Sequence, residues 1–394
     1  MMTSLATTAS ADVSTRFAAR RHDDLTALEH HWRQLETTGT LSAFQRFDWL
    51  KAIDAHLVRP RGDHAFVIEV NDKVSGDGLM LLPLVLKKGR IHNRIEFLGS
   101  EVSDISAAIL SPGYEMPGEA GALLWQAIAT ALPTADLVQI GQITQTVQGR
   151  PNPLASLPGL TLSPKKSFDV AMEGDPETVV DRLVNNQTRR ILKTSARRMA
   201  ERGVVRFLAA TTQDDVNTLL RVMVEQRFAR FRELGRFDHL TEPGVEECYR
   251  TAALASLDGR GPAQVFGLAV DDIWIATTYT LIHGNTIHLT IVTMAGGEWQ
   301  PCSPGMAILA RYMRWAREKG LTVMDFSVGD MAYKSGFGGQ ARDLYSLSVP
   351  LTGKGSAIHF SEGLVSGLKQ QVKSNPALSA YARTALRQLR NMRR

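Results

Sequence analysis

The order of the predicted elements in the second half of the chain is the feature that most constrains its fold. Three strand-like runs follow one another, at 264–270, 273–282 and 286–294. His283-Gly284-Asn285 marks a hairpin turn between the last two runs. Ser303-Pro304-Gly305 then begins a helix that ends near Gly320, and an apolar strand follows at 322–328. Strands that give way to a helix and then return to a strand indicate an α/β fold with a mixed sheet.

The first half of the chain repeats this order of elements without repeating the residues. In the first half, strands are predicted at 15–19, 65–70, 79–86, 94–98 and 136–140, and helices at 22–36, 44–56 and 117–132. In the second half, the pattern is completed by strands at 168–172, 204–208 and 344–349, and by helices at 175–202, 213–234 and 243–257. Because 394 residues are enough for two domains, the repeat predicts two tandem domains.

The boundaries of these domains are predicted from composition. We expect a flexible N-terminus at 1–13, a first domain at 14–160, a second domain at 161–353 and a tail at 354–394. The segment 149–166 is rich in Pro, Gly and Ser and is the predicted linker. In the tail, eight Lys or Arg residues stand against Glu362 alone, whereas the first 353 residues carry a net charge of −2. We expect this basic helical tail to contact a membrane surface, an anionic partner or only solvent.

The cysteine content and the hydropathy pattern bear on the compartment. Cys248 and Cys302 are too few for a disulfide framework or a zinc cluster, which favours a reducing cytoplasm. The sequence has no apolar run of about 18 residues, and its start lacks the pattern of a secretory signal. We therefore expect a cytoplasmic protein, with peripheral attachment at the inner face of the membrane as an alternative. No His or Cys spacing suits a metal, so no metal cofactor is predicted.

The predicted helix that begins at Ser303 offers a site for phosphate groups. Backbone N–H groups and the positive end of the helix dipole attract anions at such a position. Pro304 suits the first helical turn, and Gly305 allows a close approach of the ligand. The residues expected to bind the cofactor are Ser303, Pro304, Gly305, Met306 and Ala307. The alternative is a Pro-Gly helix start that binds no ligand.

A second motif follows the apolar strand. It consists of four residue pairs, Asp325-Phe326, Gly329-Asp330, Tyr333-Lys334 and Phe337-Gly338. Together with Ser303-Pro304-Gly305, this series resembles the bacterial CelD/BcsL-type acyltransferase family, which is related to FemAB-like proteins with tandem GNAT (N-acetyltransferase-like) domains. Two earlier segments resemble the same family, Phe44-Gln45 with Trp49-Leu50 and Phe97-Leu98-Gly99 with Ser103-Asp104.

The resemblance implies two tandem GNAT-like acyltransferase domains and an acyl-CoA co-substrate, acetyl-CoA or a longer one. In GNAT enzymes a tyrosine at the position of Tyr333 can protonate the departing thiolate, and a phenol suits that role better than a carboxylic acid. Lys334 of the same motif is expected at the cofactor. The alternative for Tyr333 is a side chain packed under the sheet with its hydroxyl hydrogen-bonded.

Several other polar residues are candidates for the site. Asp325 and Asp330 are predicted to flank the cleft and to deprotonate or hold the acceptor, although Asp330 could instead cap the helix that carries Tyr333. His283 and His288 flank the hairpin turn and are predicted as surface residues of an edge strand rather than as catalytic groups. Cys302 is predicted to be a small buried side chain rather than a nucleophile.

A basic stripe lies along the predicted helix 175–202. Helical spacing places Arg190, Lys193 and Arg197 on one face, where they could bind the phosphates of CoA, an anionic glycan or a nucleic acid. A solvated helix face is the alternative. Because no aromatic residues are interleaved with the basic ones, a nucleic-acid partner is not expected.

These features together predict an acyltransferase. It would move an acetyl or longer acyl group from acyl-CoA directly to an amine or hydroxyl of a small molecule or glycan, such as a cell-envelope or exopolysaccharide component. The first domain is expected to be degenerate and to shape the acceptor groove, since it has no Ser-Pro-Gly helix start. Two alternatives stay open: aminoacyl transfer from tRNA, as in FemAB-like proteins, and a non-catalytic scaffold for a polysaccharide synthase.

Overall fold

A mixed β-sheet runs through both halves of the protein, and helices cover its two faces. The computed structural model describes residues 16–114, 120–235 and 238–374. The strands are β1 Phe17–His22, β2 His64–Asp72, β3 Gly78–Lys88, β4 Asn93–Phe97, β5 Ile109–Leu110, β6 Leu137–Ile143, β7 Thr146–Val147, β8 Arg150–Pro151, β9 Leu160–Ala171, β10 Val205–Ala209, β11 Ala263–Val270, β12 Ile273–His283, β13 Thr286–Met294, β14 Val323–Val328 and β15 Gln340–Pro350. The α-helices are α1 Glu29–Thr38, α2 Phe47–Ile53, α3 Gly121–Ala131, α4 Pro176–Leu183, α5 Asn186–Ala200, α6 Gln213–Leu234, α7 Val245–Leu257, α8 Pro304–Glu318, α9 Ala332–Gly336 and α10 Gly353–Ser374.

The sheet order confirms the predicted repeat of elements. The strands lie in the order β1-β2-β3-β4-β6-β15-β9-β14-β13-β12-β11-β10, with β5 paired to β3. Each half contains one parallel pair, β4 with β6 and β13 with β14, whereas the neighbouring pairs are antiparallel. The last strand, β15, lies between β6 of the first half and β9 of the second, so it joins the two halves into one sheet.

The predicted linker at 149–166 is wrong. Residues 150–151 pair in a small hairpin, and β9 is a twelve-residue strand whose first part falls within the predicted linker. Pro164 lies where the pairing of β9 with β15 shifts register, between the pairs Asp343↔Lys166 and Tyr345↔Leu162. A proline is tolerated in a strand at such an irregularity because no ladder hydrogen bond has to be donated there.

The single helix predicted at 175–202 is two helices, α4 and α5. Asp175 caps α4 by accepting a hydrogen bond from the Glu177 N–H, and Pro176 occupies its first turn, as the sequence predicted. Val184 and Asn185 adopt extended backbone angles between the helices. The Asn185 side chain then accepts a hydrogen bond of 2.8 Å from the Thr188 N–H. The break therefore results from a second N-cap, Asn185. This cap was missed from the sequence because basic residues follow it closely.

Some predictions fall outside the described residues or partly so. These are the flexible N-terminus at 1–13, the start of the helix predicted at 117, and the tail from 375 to 394. The described part of the tail is helical, and its acid Glu362 bonds back to the first half, with Arg94 Nη2 at 3.1 Å and Gln139 Nε2 at 3.2 Å. Among the helices of the described chain, none combines the length and hydropathy that a membrane span requires.

An aromatic core fixes the two halves against each other. Trp49 of α2 packs edge-to-face on Tyr249 of α7 at 5.5 Å between ring centroids, and Tyr249 packs in the same way on Tyr279 of β12 at 4.8 Å. The Trp49 indole N–H also donates to Ser103 Oγ at 2.9 Å. Buried aromatic pairs of this kind add about 0.5–1.5 kcal/mol each beyond their buried area. The core therefore holds the loop that contains Ser103 against the second half.

Candidate functional site

The strands β13 and β14 separate after a short stretch of parallel pairing. Only three residue pairs are in register, Thr286↔Val323, Ile287↔Met324 and His288↔Asp325. Beyond them β14 turns away, with positive φ angles of 60° at Ser327 and 108° at Gly329. The Ser327 N–H donates to Asp325 Oδ1 at 2.7 Å, which stabilises this turn. The separation leaves open space between the ends of the two strands.

We call this space the splay cavity. Its volume is about 910 Å³, and it lies between the end of β13, the start of α8, α9 and the last turns of α6. Ser303, Pro304, Gly305, Met306 and Tyr333 are among its lining residues. A side chain on Gly305 would place its Cβ 2.6 Å from Cε of Met294, so glycine keeps this wall of the cavity open.

The residues predicted to bind the cofactor do not all reach the cavity. Ser303 takes a left-handed conformation with φ 47°, ends a 3₁₀ turn and begins α8. Ala307, one turn into α8, is 1% exposed and belongs to the core beneath the cavity. The start of α8 therefore presents its first three residues and Ser303 to the cavity, while Ala307 anchors the helix.

Tyr333 and Lys334 are neighbours with different surroundings. Tyr333 packs edge-to-face on Phe326 at 6.3 Å, and burial, aided by the negative charge of Asp104, raises the pKa of its phenol to about 12. Lys334 is 2% exposed, and its ammonium donates to the carbonyls of Ser327 at 2.8 Å and Val328 at 3.0 Å. Burial lowers the pKa of Lys334, against the opposing effect of nearby carboxylates. Lys334 thus holds the end of β14 and does not lie at a surface where phosphate could reach it.

Asp325 and Asp330 also differ. Asp325 is buried, and its Oδ2 lies 2.7 Å from Nδ1 of His288 on the adjacent strand. Asp330 is exposed, and the N-cap position of α9 is Met331, which makes no side-chain capping bond. The alternative prediction that Asp330 caps this helix is therefore wrong.

Neither histidine is a surface residue of an edge strand, as the sequence had predicted. Both β12 and β13 have a strand on each side, and both His283 and His288 are buried. His288 packs edge-to-face on Phe44 of the first half at 5.2 Å. Burial and the charge of Arg46 lower the pKa of His283 to about 4. The prediction failed because strand neighbours are set by the sheet order, which a hairpin signal does not specify.

Asp104 is contributed by the first half and was not predicted as a site residue. Burial and then the charge of Asp325 raise the pKa of its carboxyl to about 6, although Ser327, Lys334 and His288 oppose this shift. The backbone beside it is held by Gln45, whose Nε2 donates to the Ile105 carbonyl at 2.9 Å. The Ser103-Asp104 pair was visible in the sequence, but nothing local related it to the second half.

The basic stripe lies apart from this cluster. Arg190, Lys193 and Arg197 are exposed on α5, and they are not among the lining residues of the splay cavity. Arg197 forms an ion pair of 2.8 Å with Glu201. A different face of α5 supports the 3₁₀ turn before α8, where Arg198 donates to the Pro301 carbonyl at 2.7 Å and Ser195 Oγ donates to the Cys302 carbonyl. Cys302 is fully buried, as predicted.

Residues 186–335, from the start of α5 into α9, match a family model described as an acetyltransferase (GNAT) domain. This stretch of the second half is thus similar to a GNAT acetyltransferase domain. No curated protein matches the chain. Within the described ranges, no group of three or more His, Cys, Asp or Glu side chains is arranged to hold a metal ion.

Solved structures share the fold over both halves. The crystal structure of FemX aligns with a TM-score of 0.56 and 11% identity, covering 83% of this chain and 96% of that one. A conserved protein of unknown function from Bacteroides thetaiotaomicron aligns with a TM-score of 0.50 and 9% identity, over 83% of this chain and 98% of the other. At these identities the likeness concerns the fold alone. The chain has a mixed α/β fold in which one sheet runs through both halves.

Proposed function

We propose that the protein transfers an acetyl or longer acyl group from acyl-CoA to an amine or hydroxyl acceptor. The observation that carries this proposal is the splay cavity, because the first turn of α8 and Tyr333 face the same space. Backbone N–H groups at the start of α8 suit the pyrophosphate. The apolar side chains of Val292, Met294 and Leu309 suit the pantetheine arm and the acyl chain.

Tyr333 has a defined part in this chemistry. With a pKa of about 12, its phenol is protonated at neutral pH and can donate a hydrogen bond to the departing sulfur. A thiol has a pKa about three units lower, so complete proton transfer from this phenol would be uphill. Tyr333 therefore stabilises the negative charge that develops on the sulfur, and the thiolate takes its final proton from solvent.

The acceptor is proposed on the resemblance to the CelD/BcsL-type family. It would be a glycan or small molecule of the cell envelope or of an exopolysaccharide. On α5, Arg190, Lys193 and Arg197 could bind an anionic part of a large acceptor, and the basic tail could contact an anionic surface.

Calorimetric titration with acetyl-CoA and octanoyl-CoA tests the proposal. The wild type is compared with Gly305→Glu, which puts bulk and negative charge into the splay cavity. Gly363→Glu is the matched control, because Gly363 of α10 is exposed and a side chain there meets open space. We expect micromolar binding that is retained in the control and at least tenfold weaker in Gly305→Glu.

If neither acyl-CoA binds the wild type, the proposal is wrong, and charged tRNA becomes the next donor to test. If all acyl-CoA binding survives Gly305→Glu, the ligand occupies another place and the splay cavity is not the donor site.

A further inference from the structure

A second cavity lies where the two halves meet. Its volume is about 630 Å³, and we call it the junction cavity. The first half contributes Ser42, Thr144 and Gln148 to its wall, and the second contributes Asn285 and Thr286 at the start of β13. His288 and Asp325 also line it. The junction cavity is thus at the paired end of β13 and β14, whereas the splay cavity is at their separated end.

The charges around the junction cavity are largely neutralised within the protein. The Arg342 guanidinium bonds to both carboxylate oxygens of Asp169, at distances of 3.0–3.2 Å. Asp343 forms an ion pair of 3.2 Å with Lys166. A strongly charged ligand would therefore find little net charge of the opposite sign among these four residues.

Neutral polar groups supply much of the remaining wall. They include amides and hydroxyls such as those of Gln148, Asn285 and Thr286. Thr144 Oγ1 is buried and has no hydrogen-bond partner among the described residues. Hydroxyls and amides can each donate and accept hydrogen bonds, which matches the many hydroxyls of a sugar. A buried polar atom without a partner is the group that a ligand hydroxyl would satisfy.

The pairing of His288 with Asp325 defines which ring nitrogen is free. The carboxylate accepts from Nδ1 at 2.7 Å, so the proton of the neutral imidazole is assigned to Nδ1. In this tautomer Nε2 carries the lone pair, and the hydrogen bond of the His288 ring among the described residues runs through Nδ1. A histidine oriented by a carboxylate in this way is suited to accept a proton from a nucleophile.

Asp104 connects this pair to the splay cavity. Its carboxyl interacts electrostatically with Asp325 and His288, and its charge also acts on Tyr333. The half-buried carboxyl of Asp104 thus acts on both His288, in the wall of the junction cavity, and Tyr333, in the wall of the splay cavity.

We propose that the junction cavity holds the acceptor, a neutral or amino sugar, and that Nε2 of His288 accepts the proton of the attacking hydroxyl or amine. This inference rests on the proposed acyl transfer. The reacting group of the bound acceptor extends past His288 toward the splay cavity, where its oxygen or nitrogen bonds to the thioester carbonyl carbon and the C–S bond breaks. The acceptor proton goes to His288 and then to solvent, while the CoA thiolate takes a proton from solvent. The products are the acylated sugar and free CoA.

The test measures release of CoA from acetyl-CoA. The probes are glucosamine and cellobiose, with spermidine and glycylglycine as amine acceptors that are not sugars. We expect faster turnover with glucosamine or cellobiose than with spermidine or glycylglycine. His288→Ala should lower kcat about a hundredfold, the usual contribution of a general base. Added imidazole should raise the kcat of His288→Ala at least tenfold. A purely structural role of His288 would give no such increase.

Further variants separate failure of folding from failure of the inference. Thr146→Trp fills the junction cavity from an exposed strand position, so it should raise KM for the sugar at least fivefold with unchanged acetyl-CoA affinity. His64→Ala removes an exposed histidine of the first half and is the control with unchanged turnover.

Three outcomes would overturn the inference. These are absence of sugar turnover in a wild type that binds acetyl-CoA, turnover of folded His288→Ala within threefold of wild type, and unchanged sugar KM in Thr146→Trp. Loss of acetyl-CoA binding by the wild type would instead contradict the proposed function, so the two failures are distinguishable.

Discussion

The two halves contain the same kind of parallel strand pair, but only one leaves an open splay. In the first half, β4 and β6 pair at Arg94↔Leu137 and Ile95↔Val138. The chain beyond β4 then returns to β6, where the Ser106 N–H donates to the Gln142 carbonyl at 2.9 Å. In the second half, β14 turns away at Ser327, and among the described residues no segment returns to close the space beside β13, which forms the splay cavity.

The helices α3 and α8, which precede the second strand of each parallel pair, also differ in how much space their first turn leaves for a ligand. A Cβ on Gly121, the first residue of α3, would overlap the backbone carbonyl of Ser156. A Cβ on Gly305 of α8 would meet only the flexible side chain of Met294. A phosphate could therefore approach α8 but not that side of α3. We therefore expect the donor to bind at the start of α8 and not at the start of α3, while the first half contributes the loop that carries Asp104.

The largest effect is expected for Tyr333→Phe. Removal of the hydroxyl should lower kcat by about a hundredfold to a thousandfold, as for other donors to a developing negative charge. The dissociation constant of acetyl-CoA should change little, because the ring remains. Tyr114→Phe is the matched control, since Tyr114 is a buried tyrosine of the first half. Equal losses of turnover in Tyr333→Phe and Tyr114→Phe would contradict the placement of the donor site in the second half alone.

Gly121→Ala should destabilise the protein by about 3 kcal/mol, since the new methyl group meets backbone rather than a movable side chain. Urea unfolding of this variant and of Gly305→Ala measures the difference. We expect Gly305→Ala to change stability by less than about 1 kcal/mol, because Met294 can move. It should weaken acetyl-CoA binding, which Gly121→Ala should not. If Gly121→Ala changed the free energy of unfolding as little as Gly305→Ala, the backbone of Ser156 would not block the start of α3.

Asp104→Asn should stabilise the protein at high pH. Folding raises the pKa of Asp104 from 3.8 to about 6, so the stability that its neutral form contributes is present below pH 3.8 and is lost as the pH rises through 6. At pH 8 the ionised carboxyl of the half-buried Asp104 costs about 3 kcal/mol, which the amide avoids. Urea unfolding at pH 4 and pH 8 should show a gain only at pH 8. An equal gain at both values would show that the charge of Asp104 is not responsible.

The smallest effect is expected for the basic stripe. Combined replacement of Arg190, Lys193 and Arg197 by Ala should change the acetyl-CoA dissociation constant less than threefold, because these residues do not line the splay cavity. Calorimetric titration at low and moderate salt measures this. A loss of tenfold or more at both salt concentrations would place the CoA phosphates on α5 rather than at the start of α8.

Local signals in the sequence determined the elements and one side of the site. The Asp-Pro-Glu start of α4, the hairpin between β12 and β13 and the Ser-Pro-Gly start of α8 each depend on residues within a few positions of one another. For that reason the sequence alone predicts the order of elements and the placement of Tyr333 shortly after β14.

Only the tertiary structure decided the polar centre of the site. His288 and Asp325 meet because β13 and β14 are neighbours in parallel register, and Asp104 reaches them because an aromatic core docks the first half on the second. The tertiary structure also decided the partners of β9. Its Pro- and Ser-containing sequence favoured a linker, although β14 and β15 pair with it. Caps and turns are specified by neighbouring residues, whereas strand partners and buried charges depend on residues that only the completed sheet brings together.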